Sequence, residues 1–227
     1  IEAGSVFEAG AVVYPRSRLA GGFLYAGRPA KPVRALEAGE LAARRARLRA
    51  RNEAADDDWS GADRAGSLAA TAFVGNTALL RGRVVAADRS SIWYGCRLDA
   101  AGGEITIGAR SNVQDNSVLA ATQGLLAIGA DSTIGHNVSL ASCTIGNRCL
   151  IGIGSRVAPG TVAQDDVFLA AGAVTLPGQV LEGGWLWGGQ PARKLTELDE
   201  RKRAVVLETI VTYCEYAEEL ARVQAQA

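Results

Sequence analysis

Aliphatic residues return every sixth position through the middle of this chain, and that ruler limits the fold more than any other feature. Ile107, Val113 and Leu119 stand six apart, as do Ile128, Ile134 and Leu140, then Ile145, Ile151 and Val157, then Val162, Phe168 and Val174. Each triplet begins 17 or 21 residues after the last, and glycine follows the aliphatic residue at Ile107, Ile128, Ile134, Ile145 and Ile151. Neither the helical period of 3.6 nor the strand period of 2 explains this spacing. A triangular coil does. Three short strands make one turn, each points one aliphatic side chain into the prism, and successive coils stack and pair their backbones. The residue after each aliphatic is expected at a tight corner, where a small or φ-permissive residue fits best.

The expected fold class is all-β with helices: a parallel β-helix of hexapeptide type over residues 68–184, then a C-terminal segment and helix over 185–227. The four-residue excess between Leu119 and Ile128, around Ala121 to Leu125, is expected to bulge outward as a loop. Phe73 to Val85 and Ser91 to Leu98 read as less regular coils, and the prism is expected to end near Leu181. Thr196 followed by Asp199 reads as a capping box. Val206, Ile210, Tyr213, Ala217 and Leu220 form a helical stripe expected to pack along the prism or a neighbour.

A second repeat spans most of the chain. "AGAVVYPRSRLAGGFLYAGRPAK" from Ala9 aligns without a gap with "AGAVTLPGQVLEGGWLWGGQPAR" from Ala171, an offset of 162 with about a dozen identities. Val6 and Val12 match the hexad positions Phe168 and Val174. Residues 1–33 therefore read as the tail coil of an upstream β-helix repeat, and 34–67 as a charged helix and linker. Arg34 to Asn52 is helix-prone, and residues 53–67, "EAADDDWSGADRAGS", read as exposed linker. A single coil cannot bury its own core, so residues 1–33 must dock on this domain or on another subunit. The repeat implies a tandem precursor, or a longer chain of which this is one piece; the chain opens on Ile1 rather than Met, and no secretory signal is read at its start. The run Arg44, Arg45, Arg47, Arg49 and Arg51 is either a solvated helix face or a contact for an anionic partner.

Lys plus Arg and Asp plus Glu both number 24, so nothing global argues for nucleic acid. The longest apolar runs fall well short of the roughly 20 residues that span a bilayer, so no transmembrane segment is expected. Cys96, Cys143, Cys149 and Cys214 form no C-x-x-C pair and are expected as buried, reduced, small apolar residues rather than a zinc finger or disulfide framework.

"SSIWYGCRL", "ITIGARSNVQDNS", "IGADSTIGHNVSLASCTIG", "AAGAV" and "WLWGGQPARKL" together resemble the gamma-class carbonic anhydrases over roughly residues 68–220. The resemblance implies a left-handed β-helix, since spacing alone does not give the hand, and a trimer with zinc at each subunit interface. In the family three histidines hold that zinc, two from one subunit and one from its neighbour. The first ligand position follows Leu119 and is Ala120 here; the second, in "IGH", is His136; the third, in "LASC", is Ala141. The Arg and Asp that follow "GC" in active members align with Asp99 and Ala101, while Gln114 and Asp115 of the "QD" pair are retained.

Alanine supplies no lone pair, and catalytic zinc needs three fixed ligands and an open position. The resemblance therefore implies no catalytic residues and no cofactor of the chain's own. The leading expectation is a structural, non-catalytic subunit of a heterotrimer with two other gamma carbonic anhydrase-like subunits. Such heterotrimers sit on membrane-arm subunits of mitochondrial complex I (NADH:ubiquinone oxidoreductase), at the inner membrane on the matrix side. The alternatives are an anhydrase active only in a mixed trimer, with zinc shared at an interface and His136 donated to a neighbouring subunit's site, and a hexapeptide acyltransferase using His136. His136 is otherwise a polar interface residue, and Gln114 and Asp115 are otherwise structural.

Overall fold

A computed structural model describes residues 2–7, 18–26, 30–46 and 66–224, which fall into two compact units, one before and one after Ser60. The second unit is a left-handed β-helix closed by a long helix. Its inward positions stack in three columns: Leu80, Leu98, Leu119, Leu140 and Val157 on one face; Ala86, Ile107, Ile128, Ile145, Ala163 and Leu181 on the next; Val74, Ile92, Val113, Ile134, Ile151, Leu169 and Trp187 on the third. Away from the ends these residues are almost wholly buried. They form one continuous apolar rod, the main source of stability in a fold with little other interior.

The hexad register expected from Ile107 to Val157 holds, but the last coil is displaced by one. Val162 is 39% exposed, and Phe168 and Val174 are half-buried, while Ala163, Leu169 and Thr175 point inward. Val162 pairs with Thr144 and Phe168 with Leu150, which fixes the register. The early coils, expected to be less regular, keep strict spacing: Leu68, Val74, Leu80, Ala86, Ile92 and Leu98 lie six apart, with the small Ala86 obscuring the ruler.

The loop expected around Ala121 to Leu125 is present at Thr122 and Gln123, which are exposed and outside any strand, but it is shorter than expected because ladder pairing resumes at Gly124. Gly124–Ile128 pairs with Gly103 through Ile107 of the strand Arg97–Ile107, which turns a corner and joins two faces; Ala121 is fully buried.

Corner chemistry also differs from expectation. The left-handed backbone is found three residues before the inward side chain, at Arg110, Asn116, Asp131, Asn137, Arg148 and Asp166, with glycine at Gly95, Gly154 and Gly160. The glycines after the aliphatics serve close coil stacking instead. A Cβ at Gly152 would lie 2.5 Å from the Ala171 amide nitrogen of the next coil. Two residues before each inward aliphatic lies a second inner ring, small at many positions but filled by Ile105 and Leu126 before Ile107 and Ile128. Ser90, Ser111, Ser117, Ser132 and Ser155 there are fully buried, and each hydroxyl bonds a backbone carbonyl. Cys96, Cys143 and Cys149 occupy the same ring, and all four cysteines are free and buried.

The C-terminal helix, Glu200–Gln224, lies on the third face and covers Phe73, Ser91, Asn112 and Thr133. Val206, Ile210, Cys214 and Ala217 are its buried stripe, with Tyr213 and Leu220 packed half-buried beside them. Its cap is Asp199 alone, whose Oδ1 accepts the Lys202 N–H at 2.8 Å. Thr196, expected to begin a capping box, is a strand residue paired with Leu186. No described helix is long and apolar enough to cross a membrane.

In the first unit, Val6–Phe7 pairs in parallel with Phe23–Ala26, which pairs antiparallel with Lys31–Ala35. The charged helix expected from Arg34 instead begins at Glu40, because residues through Ala35 belong to that strand. Arg34 and Arg44 both pair with Glu40, whose carboxyl is drawn down to about 2, chiefly by the Arg34 hydrogen bond. Val12, the basic residues Arg47, Arg49 and Arg51, and most of the 53–67 linker lie outside the described residues.

Candidate functional site at a corner of the prism

Tyr94, Asp115 and His136 each lie two residues past an inward aliphatic, Ile92, Val113 and Ile134, so three successive coils stack them at one corner. Asp115 joins its neighbours. Its Oδ1 accepts the Tyr94 N–H at 3.1 Å, and its Oδ2 lies 3.1 Å from Nδ1 of His136. The other ring nitrogen, Nε2, is 3.2 Å from the Tyr213 hydroxyl on the C-terminal helix.

Nδ1 of the imidazole thus faces the carboxylate, and Nε2 faces the Tyr213 hydroxyl, with the donor role at Nε2 set by the tautomer. Burial, helped by the Asp115 charge, raises the Tyr213 hydroxyl pKa and keeps it a donor. The Tyr213 ring stands edge-on to Trp93 at 5.1 Å, and the Trp93 indole donates to Ser91. Tyr213 is part of the helical stripe, but its link to His136 was not readable from spacing: the two lie 77 residues apart.

Gln114 is buried beside this corner. Its amide donates to Asn112 at 3.1 Å, and Asn112 donates to Thr133 at 3.0 Å, a short polar ladder beneath the helix. The two retained "QD" residues thus do different things. Gln114 ties adjacent side chains together, and Asp115 holds His136.

Ala120 and Ala141 sit on the face that follows this corner, each one residue past an inward leucine. They are direct partners across adjacent coils, and Ala120 also pairs with Asp99. Asp99 lies 3.7 Å from Arg81 and accepts the Ala101 N–H at 3.0 Å, so it is engaged within its own ladder. The donor set does not fit zinc. Of the three positions that the resemblance aligns with zinc ligands, two carry methyl groups, and both nitrogens of the third are in contact with side chains of this same chain. Among the described residues no three His, Cys, Asp or Glu side chains converge as a metal-binding group.

The thiols are equally unsuited to chemistry as they stand. Burial pushes Cys96 up to about 11 and Cys143 and Cys149 to about 12.

No family model matches the chain. The chain is 32% identical over 163 residues to gamma carbonic anhydrase 1, mitochondrial, of Arabidopsis thaliana, covering 69% of this chain and 59% of that protein. It therefore spans less than two thirds of that relative's length. It is 33% identical over 155 residues to protein YrdA of Escherichia coli, covering 65% of this chain and 84% of that one. Among solved structures, a hexapeptide transferase family protein from Anaplasma phagocytophilum matches at 32% identity and a TM-score of 0.66, over 68% of this chain and 92% of that chain.

Proposed function

The chain belongs to the gamma carbonic anhydrase-like family, and from that premise we propose that it is a non-catalytic structural subunit of a mitochondrial assembly. The assembly is a heterotrimer with two other gamma carbonic anhydrase-like subunits, attached to the membrane arm of complex I on the matrix side of the inner membrane. The observation that carries the proposal is the side-by-side placement of Ala120 and Ala141. They occupy the ligand positions that a subunit of this family keeps for its own metal, and neither offers a donor atom. The mitochondrial relatives support the compartment.

The expected result is that the washed chain alone shows no carbon dioxide hydration above background and holds no stoichiometric zinc. It is also expected to comigrate with a large membrane complex on a native gel. Zinc at one per chain, or migration only as a free soluble trimer, would defeat the reading.

A mixed-trimer enzyme is the competing reading. It requires His136 to donate Nε2 to a neighbour's metal, and hence Tyr213 to give up its contact at 3.2 Å. Replacing His136→Ala in the assembled complex separates the two: metal lost with the imidazole supports the shared site, and metal unaltered or absent excludes it.

A further inference from the structure

The described residues of the first unit repeat the strand pairing found at the end of the second, except that one strand edge has no partner among them. At the offset of 162, Val6 pairs with Leu24 as Phe168 pairs with Leu186, and Phe7 with Tyr25 as Leu169 with Trp187. Both antiparallel hairpins shift register at the same place, between Leu24 and Tyr25 and between Leu186 and Trp187. Gly22 donates to the Gly4 carbonyl as Gly184 does to that of Asp166, and Leu36 to Gly22 as Leu198 to Gly184. Even the ring tips agree: the Tyr25 hydroxyl reaches the Ala20 carbonyl at 3.0 Å, and the Trp187 indole reaches that of Glu182 at 3.1 Å.

The correspondence stops at one edge. In the second unit, Phe168–Leu169 also pairs with Leu150–Ile151 of the coil below. The Val167 and Leu169 carbonyls accept N–H bonds from Leu150 and Gly152 at 2.9 and 2.8 Å. Among the described residues of the first unit, Val6–Phe7 is the outer strand of a three-stranded sheet. Leu169 is fully buried, whereas its counterpart Phe7 is only half-buried, and Ser5 is half-buried where Val167 is fully buried.

We propose that the strands Val6–Phe7, Phe23–Ala26 and Lys31–Ala35 belong to the closing coil and hairpin of a second β-helix, and that the edge of Val6–Phe7 is occupied by a preceding hexapeptide coil of the same polypeptide. A further copy of this chain does not supply that coil, because its own Leu150–Ile151 edge already carries Phe168–Leu169. Leu169 follows Ile151 by 18 residues, so the occupant places an inward aliphatic 18 residues before Phe7. The native molecule is then a tandem of two β-helices, with a second prism's outer faces available to partners. This inference is independent of whether either domain is catalytic.

The test is intact mass and peptide sequencing of the native polypeptide that contains residues 19–34, paired with hydrogen exchange. The expected polypeptide extends upstream by most of a β-helix domain and carries the hexad ruler in phase with Phe7. Exchange at Leu24 and Tyr25 is expected to slow at least about tenfold relative to the 227-residue chain, since an unsupported end coil opens more readily. A native polypeptide without upstream hexads, or equal protection acquired by this chain through self-association, overturns the proposal.

Discussion

At the scale of single residues, the spacing placed Ala120, His136 and Ala141 on the coils but did not reveal what holds His136. Ala120, His136 and Ala141 were legible because the six-residue ruler fixes their register with Leu119, Ile134 and Leu140. Tyr213 was legible only as part of a helical stripe, since its contact with His136 depends on how the helix lies across the coils. That contact has a measurable consequence. Tyr213→Phe keeps the ring against Trp93 and removes the hydroxyl, so the expected loss is about 1 kcal/mol, the net worth of one hydrogen bond. The imidazole nitrogen resonances of the single histidine should shift at Nε2. An unchanged unfolding midpoint together with unchanged resonances would show that the hydroxyl does not hold His136.

At the scale of elements, the ruler read the coils well where inward residues are large, and failed where they are small. From Ile107 to Val157 every inward residue is Ile, Leu or Val, and the count was right. In the coil that follows, inward Ala163 and Thr175 lie beside the more conspicuous Val162 and Val174. Hydrophobicity alone then favours the wrong member of each pair, and only strand pairing decides. Ala86 hid the regularity of the early coils in the same way. A pair of substitutions tests the corrected register. Ala163 is 1% exposed, so Ala163→Asp buries an unpaired carboxylate and should cost several kcal/mol. Val162 is 39% exposed, so Val162→Asp should change stability by about 0.5 kcal/mol or less. Urea denaturation of both variants is the measurement. Equal loss in the two, or the reverse order, would return the last coil to the register counted from Val162.

At the scale of the whole molecule, the second unit's stability resides in a narrow prism filled by three columns of side chains, so any group that must be neutral inside it makes the fold sensitive to pH. Cys96, Cys143 and Cys149 are three such groups, each in the inner ring on a different face of the prism. Their ordinary pKa of 9.0 rises to about 11, about 12 and about 12, because burial penalises the thiolate. The folded chain keeps these protons while the unfolded chain releases them above pH 9. The unfolded state therefore binds fewer protons in that window, and unfolding free energy falls as pH rises. The contribution is fully present below pH 9 and is lost progressively from there to pH 11–12, at about 1.4 kcal/mol per pH unit for each thiol that titrates only on unfolding. Tyrosine and lysine titration adds its own slope, so the informative comparison is with a chain carrying Cys96→Ala, Cys143→Ala and Cys149→Ala. That variant has less packing in the ring and should be weaker at pH 8. Its stability should nevertheless fall less steeply between pH 9 and 11 than that of the parent. In the same preparations, iodoacetamide at pH 8 should leave the three thiols unmodified in the folded chain and label them in urea. Parallel pH slopes for parent and variant would mean that the thiols ionise in the folded prism, and that the rod is wetter than its packing indicates.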